Sequence, residues 1–113
     1  MITIDAKNKM LGRVASAAAK ALLGKHSADF AKNVVATGGV TITNASHIKI
    51  SGTKKQDKEY LRYSGYPGGQ KIETYAMLTA RKGETEVIRK AVLGMLPKNR
   101  LQAERIKMLT IEK

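Results

Sequence analysis

One helical repeat constrains the fold more than any other feature of this sequence. Between positions 11 and 23, apolar residues recur at intervals of three and four, which is the period of one face of an α-helix. The stripe consists of Leu11, Val14, Ala15, Ala18, Ala19, Leu22 and Leu23. Asn8 is a plausible N-cap for this helix, and Gly24 is a plausible residue to follow its last turn. Because the middle of the stripe consists of the small residues Ala15, Ala18 and Ala19, we expect the helix to pack closely on a sheet inside the core.

Short β-branched segments alternate with helical ones along the rest of the chain. Strands are predicted at residues 2–4, 40–44, 48–50 and 108–111, and residues 34–36 form either a short strand or an apolar loop. A second apolar stripe runs from Val87 to Leu96 and is stopped by Pro97, and a shorter helix is predicted at 101–107. This order predicts one α/β domain over residues 1–113, with a sheet that is at least partly parallel.

The charge of the chain points to a polyanionic partner. There are 21 lysines and arginines against nine aspartates and glutamates, which gives a net charge of +12. Residues 1–48, 49–72 and 73–113 each carry +4, so the middle part reaches this charge in half the length of the first. Positive charge spread over several faces is typical of a protein surrounded by nucleic acid.

Other classes of protein are disfavoured by what the sequence lacks. It contains no cysteine, which excludes disulfides, thiolate catalysis and cysteine-ligated zinc. No apolar run approaches the ~20 residues that a membrane span needs. The first nine residues have no apolar core of the kind found in signal peptides. We therefore expect a reducing compartment and no membrane partner.

The densest positive segment runs from Lys54 to Lys71. It holds five of the 21 basic residues and three of the four tyrosines, and it contains a Tyr-Pro-Gly-Gly bend. Cations on an extended segment can follow a phosphate backbone, glycine N–H groups can approach phosphate oxygens, and tyrosines can stack on bases. We predict a nucleic-acid-binding arm at about residues 53–72, in which residues 60–63 form a protruding ribbon with the segment beyond Gly69.

The candidate contact residues lie in this arm and in the turn after Pro97. They are Lys54, Lys55, Lys58, Arg62, Tyr63, Ser64, Gly65, Tyr66, Pro67, Gly68, Gly69 and Lys71 in the arm, and Lys98, Asn99 and Arg100 in the turn. Each group has a simpler alternative. The cations are otherwise a solvated surface, the tyrosines the apolar face of a hairpin, and the glycines a plain tight turn.

Nucleotide, metal and catalytic sites find little support. The turn between Asp5 and Leu11 contains no glycine, and the Gly-Lys pair at 24–25 follows a helix instead of preceding one, so neither dinucleotide nor P-loop motif is present. His26 and His47 have no motif spacing. We predict no cofactor, no metal, no small-molecule substrate and no enzymatic activity. A nucleotide-using α/β module and a non-specific nucleic-acid-coating protein remain the alternatives.

Seven short strings occur in order along the chain. They are Ile4-Asp5-Ala6, Leu11-Gly12-Arg13-Val14-Ala15-Ser16, Leu23-Gly24-Lys25-His26, Asn44-Ala45, Ser51-Gly52-Thr53-Lys54-Lys55, Ser64-Gly65-Tyr66-Pro67-Gly68-Gly69 and Ala91-Val92-Leu93-Gly94-Met95-Leu96-Pro97-Lys98-Asn99. Over essentially its whole length the chain resembles the bacterial-type large-subunit ribosomal protein L-thirteen family. The strings at 64–69 and 94–99 are the most specific. The chain departs from the family pattern at Tyr63, where histidine is usual.

The resemblance implies a three-layer α/β/α fold with a small, mostly parallel central sheet and a protruding basic arm. It implies binding to large-subunit ribosomal RNA, a part in early assembly of that subunit, contacts with neighbouring large-subunit proteins, and no enzymatic activity. The implied location is the large ribosomal subunit in the cytoplasm, with an organellar ribosome left open. The RNA-contacting role falls on Lys54, Lys55, Lys58, Arg62, the bend at 64–69 and the turn at 98–100.

Overall fold

The computed structural model describes residues 2–113 and has the mixed α/β character that the sequence predicts. The elements are β1 (Ile2–Asp5), α1 (Leu11–Leu23), β2 (Val40–Thr43), a 3-10 turn (Ala45–His47), α2 (Lys54–Asp57), β3 (Glu59–Tyr63), β4 (Gln70–Thr74), α3 (Tyr75–Lys82), α4 (Glu84–Met95), α5 (Leu101–Lys107) and β5 (Leu109–Ile111). Among these residues no helix is both long and apolar enough to cross a membrane.

The strands form two separate units. β2 lies between β1 and β5 in a three-stranded sheet, and both pairings are parallel, with Ile4 opposite Ile42 and Val40 opposite Leu109. β3 and β4 form an antiparallel pair outside this sheet. The small parallel sheet is confirmed. The strand predicted at 48–50 is reduced to one bridge between Met10 and Lys49, and residues 34–36 adopt the loop alternative.

Helix α1 packs on β1, β2 and α4, and its predicted stripe faces the core. The alanines and Val14 are buried, while the terminal Leu11 and Leu23 are half-buried. The core is completed by apolar side chains of the sheet and of α4, including Ile42, Ile88 and Val92. Each such side chain contributes about 1.5–3 kcal/mol relative to an exposed position.

The two predicted ends of α1 fare differently. Gly24 ends the helix in the left-handed conformation at φ 81°, and its N–H donates to the carbonyl of Ala21, so the predicted role of Gly24 is confirmed. The predicted N-cap, Asn8, is wrong, because the helix begins at Leu11 after Met10. Residues 8–11 instead hydrogen-bond to the backbone of residues 47–49, which keeps the chain out of the helix for two further residues.

Helix α3 is absent from the sequence prediction. Only Tyr75 and Leu78 are buried along it, so its apolar stripe is too short to detect. Thr74 caps it by accepting a hydrogen bond from the N–H of Met77 at 3.4 Å. Tyr75 and Leu78 form a second small apolar cluster with Val87, and Tyr60 packs against it. This cluster connects the β3–β4 hairpin to the body of the molecule.

Candidate nucleic-acid interface

The sequence suggested that the basic segment is extended from its start, but the structure shows otherwise. Residues 54–57 form the single helical turn α2. Backbone N–H groups of this turn donate to the carbonyl of Thr53, and the Thr53 hydroxyl donates to the Asp57 carboxylate at 2.5 Å. As a result, neighbouring lysines separate. Lys54 lines the same cleft as Lys58, whereas Lys55 lies beside Tyr75 and Glu84.

The predicted ribbon is a regular hairpin with two different faces. Residues directly opposite in an antiparallel pair share a face. The cationic face carries Arg62 opposite Lys71 and Tyr60 opposite Glu73; the apolar face carries Leu61 opposite Ile72 and Tyr63 opposite Gln70. The exposed fractions of Leu61, Ile72 and Tyr63 are 60%, 54% and 69%. Tyr63 therefore lies on the face away from Arg62 and Lys71, although the sequence placed all three in one interface.

The bend at 64–69 is closed by backbone hydrogen bonds. The N–H of Gly69 donates to the carbonyl of Tyr66 at 2.9 Å, and the N–H of Ser64 donates to the carbonyl of Gly69 at 3.3 Å. A Cβ at Gly69 would meet the Tyr66 carbonyl oxygen at 2.9 Å and would collide with the Ser64 hydroxyl. Glycine is thus needed to close this turn. The Tyr66 ring, 75% exposed, is free to reach a partner.

Tyr60 organises two cations that are far apart in sequence. The ammonium of Lys58 lies 5.6 Å from the centre of its ring, and the ammonium of Lys90 on α4 lies 5.4 Å from it. Both distances are in the range of cation–π attraction. Burial, and secondarily Tyr75, raises the pKa of Tyr60, so its ring remains a neutral phenol near pH 7.

A cleft of about 360 Å³ opens between the first turn of α1, one face of α4 and residues 49–58. Four lysines line it, and we call it the lysine cleft: Lys49, Lys54, Lys58 and Lys90. Its apolar part includes Met10, Ile50 and Met95. Neither Lys49 nor Lys90 is predicted from the sequence as a site residue. One signal in the sequence is that Lys90 lies four residues before Gly94, so the two share a helix face. Because glycine has no side chain, space is left open beside the lysine.

Few of the cations are neutralised within the protein. In residues 2–113 one ion pair forms, in which Arg81 donates to both carboxylate oxygens of Glu73 at 2.7 and 2.8 Å. The Arg81 hydrogen bonds, with smaller contributions from Arg62 and Lys90, lower the pKa of Glu73. The same part of the chain contains no group of three acidic or histidine side chains that could hold a metal.

The predicted turn at 98–100 is exposed and follows directly from α4. Leu96, the residue before the proline, leaves the helix in an extended conformation. Asn99 is partly engaged, because its side-chain oxygen accepts the N–H of Leu101 at 3.0 Å and so supports the start of α5. Lys98 and Arg100 are solvent-exposed.

Comparison with known proteins gives consistent matches. The family model described as ribosomal protein L13 matches residues 1–111. Large ribosomal subunit protein uL13 of Pelotomaculum thermopropionicum is 44% identical over 108 residues, which cover 96% of this chain and 74% of the relative. The protein of the same name from Symbiobacterium thermophilum is 44% identical, and that from a Thermoanaerobacter species is 47% identical, each over 96% of this chain and 75% of the relative.

Proposed function

Because the chain belongs to the ribosomal protein L13 family, we propose that it is a structural constituent of the ribosome that binds large-subunit ribosomal RNA and supports early assembly of the large subunit. The family is structural, and the chain is not an enzyme. In this proposal its partners are large-subunit RNA and neighbouring large-subunit proteins. It acts in the cytoplasm as part of the subunit, and no cofactor is involved.

The observation that carries the proposal is the uncompensated charge. The chain has a net charge of +12, yet within residues 2–113 only Arg81 is held in an ion pair. Free ammonium and guanidinium groups at this density attract a polyanion, and the release of its counterions drives binding. A-form RNA hides its base edges in a narrow groove, so phosphates, 2′-hydroxyls and unpaired bases are what the protein can contact.

The proposed binding unit is a single domain over residues 1–113, with helices on both faces of the parallel sheet and an arm at about 53–72 that projects from it. The cationic hairpin face, with Arg62 and Lys71, follows the RNA backbone. The bend at 64–69 and the turn at 98–100 add further contacts. The exposed apolar pair of Leu61 and Ile72 suits a neighbouring ribosomal protein better than a phosphate.

Sedimentation of cell extract tests the proposal. Wild-type chain should migrate with large subunits, and charge reversal by Lys54→Glu, Lys55→Glu and Lys58→Glu together should reduce its incorporation. The control reverses three exposed lysines at the far end of α1 and beyond it: Lys20→Glu, Lys25→Glu and Lys32→Glu. Circular dichroism should be unchanged in both variants. Equal incorporation of the two variants would show that the 54–58 segment has no special role, and absence of the wild type from the subunit would refute the proposal.

The salt dependence of RNA binding gives a second measurement. If the protein neutralises ~6 phosphates, the logarithm of affinity should fall with the logarithm of salt concentration at a slope of about −4 to −5. At ~0.3 M salt, large-subunit RNA should still bind while random RNA of equal length should not, because non-specific electrostatic affinity is lost there. Equal affinity for both RNAs would identify a coating protein instead.

A further inference from the structure

We propose that the lysine cleft holds one unpaired nucleotide of the RNA, with the base on the apolar floor and the flanking phosphates on the ammonium rim. This inference rests on the proposed RNA-binding function and specifies a site within it. The site is not expected from the sequence, because Lys90 on α4 is far along the chain from the three lysines within residues 49–58.

The chemistry of the lining favours a nucleotide over other anions. The volume of about 360 Å³ lies within the range of ligand pockets, ~300–1,000 Å³. The lining contains four lysines and no carboxylate, together with methionine and isoleucine side chains. A ligand with one charged head group would leave most of these ammonium groups unpaired. A nucleotide within a strand has a phosphate on each side and a flat, largely apolar base, and thioether sulfurs contact aromatic rings favourably.

Part of the rim is already organised in the free protein. Lys58 and Lys90 are both drawn to the Tyr60 ring, at 5.6 and 5.4 Å from its centre. Tyr60 is half-buried against the Tyr75 and Val87 cluster, so it cannot move freely. Less side-chain entropy is then lost when these lysines bind phosphate, so binding is tighter.

The cations beyond the cleft indicate a polymer. Tyr60 shares the hairpin face with Arg62 and Lys71, so positive charge continues from the rim of the cleft along β3 and β4. At the other side of the cleft, α1 begins without a side-chain cap or an acidic residue in its first turn. Its partial positive charge adds to that of the lysines. A strand that places one nucleotide in the cleft therefore meets further cations along the hairpin.

The cleft can be filled without changing its charge. Gly94 lines it, and a Cβ built at Gly94 meets no atom within 4 Å. The substitution Gly94→Leu places a side chain in this open space, and it also favours the helix, because leucine is a better helix former than glycine. The matched control is Ala103→Leu, on the exposed surface of α5. Lys90→Gln is a second variant that removes rim charge without adding bulk.

The probes are two RNA hairpins with the same stem, one fully paired and one with a single bulged 2-aminopurine. We expect the full chain to bind the bulged RNA more tightly and to change the 2-aminopurine fluorescence saturably. Gly94→Leu should weaken binding of the bulged RNA about tenfold, the order expected for loss of one base contact, with no effect on the paired RNA. Lys90→Gln should weaken the bulged RNA more than the paired one, and Ala103→Leu should behave as wild type.

The outcomes separate this inference from the proposed function. If large-subunit RNA binds but Gly94→Leu leaves the two hairpins unaffected, or weakens both equally, the cleft does not hold a nucleotide and the general function stands. If hexaglutamate displaces the bulged RNA at equal concentration, the cleft is a site for acidic peptide and the inference is wrong. If the wild type binds no ribosomal RNA, both this inference and the proposed function are wrong.

Discussion

The contact between Gly24 and Ala36 allows a quantitative test of how the core is closed. Gly24 ends α1 at φ 81°, and a Cβ added there would lie 2.8 Å from the Cβ of Ala36. The left-handed conformation costs a non-glycine residue about 1–2 kcal/mol, and crowding typically costs about 1–3 kcal/mol. Reduced freedom of the unfolded chain returns about 0.4–1 kcal/mol. For Gly24→Ala we therefore expect a loss of about 2–4 kcal/mol in the free energy of unfolding.

A double-mutant cycle separates the two costs. The next atom of Ala36 after its Cβ is the Cα at 4.0 Å, which is an ordinary van der Waals distance. In an Ala36→Gly background, Gly24→Ala should therefore lose only the backbone cost less the return from the unfolded chain, about 0.5–1.5 kcal/mol. Gly52→Ala is the control for that cost, since Gly52 has φ 63° and no neighbour within 4 Å of an added Cβ.

Urea denaturation measures these differences directly. With a slope of about 2 kcal/mol per molar, Gly24→Ala alone should lower the midpoint by about 1–2 M. If Gly24→Ala costs the same whether residue 36 is alanine or glycine, the two residues do not interact. The loop after α1 would then not pack against the helix end through Ala36.

Two further predictions concern the hairpin. Arg81 holds the pKa of Glu73 below its usual value, so the pair stabilises the fold at neutral pH, and this stabilisation is lost as pH falls through the lowered pKa. In thermal melts, the melting temperature of Glu73→Gln should therefore fall less between pH 7 and pH 3 than that of wild type. An equal fall would contradict the pairing. Gly69→Ala should open the turn against the Tyr66 carbonyl. Hydrogen exchange should then accelerate at the Ser64 amide, which donates to the Gly69 carbonyl, while the global unfolding midpoint stays nearly constant. A large shift in that midpoint would show that the hairpin is part of the core.

Much of the fold can be read from the sequence where periodicity is strong. The alanine-rich stripe of α1 and the β-branched run at 40–43 determine which faces are buried, because burial of those faces dominates their energetics. Helix α3 lacks such a stripe, since only two of its residues are buried. Its position depends on the cap at Thr74 and on packing against α4, neither of which is a repeating pattern.

The candidate site is predictable in composition but not in arrangement. The positive charge at 54–58 is visible in the sequence. However, the hydrogen bonds of Thr53 hold this segment in a helical turn, which separates Lys54 from Lys55. Lys49 and Lys90 join the site through tertiary packing alone. The burial of Arg105 is likewise not predictable from the sequence, because arginine is mostly an exposed residue. Here its exposed fraction is 1%, and it donates to the carbonyl of Lys32 at 3.3 Å.

The topology of the parallel sheet has a consequence for biosynthesis. β2 cannot acquire its second neighbour until β5 has been made, after the hairpin and three helices. Contacts between residues distant in sequence form slowly, whereas a hairpin with a tight turn forms in microseconds. During translation we therefore expect the β3–β4 hairpin to form before the hydrophobic core is complete. A nascent chain would thus carry a formed hairpin while its parallel sheet still lacks the third strand.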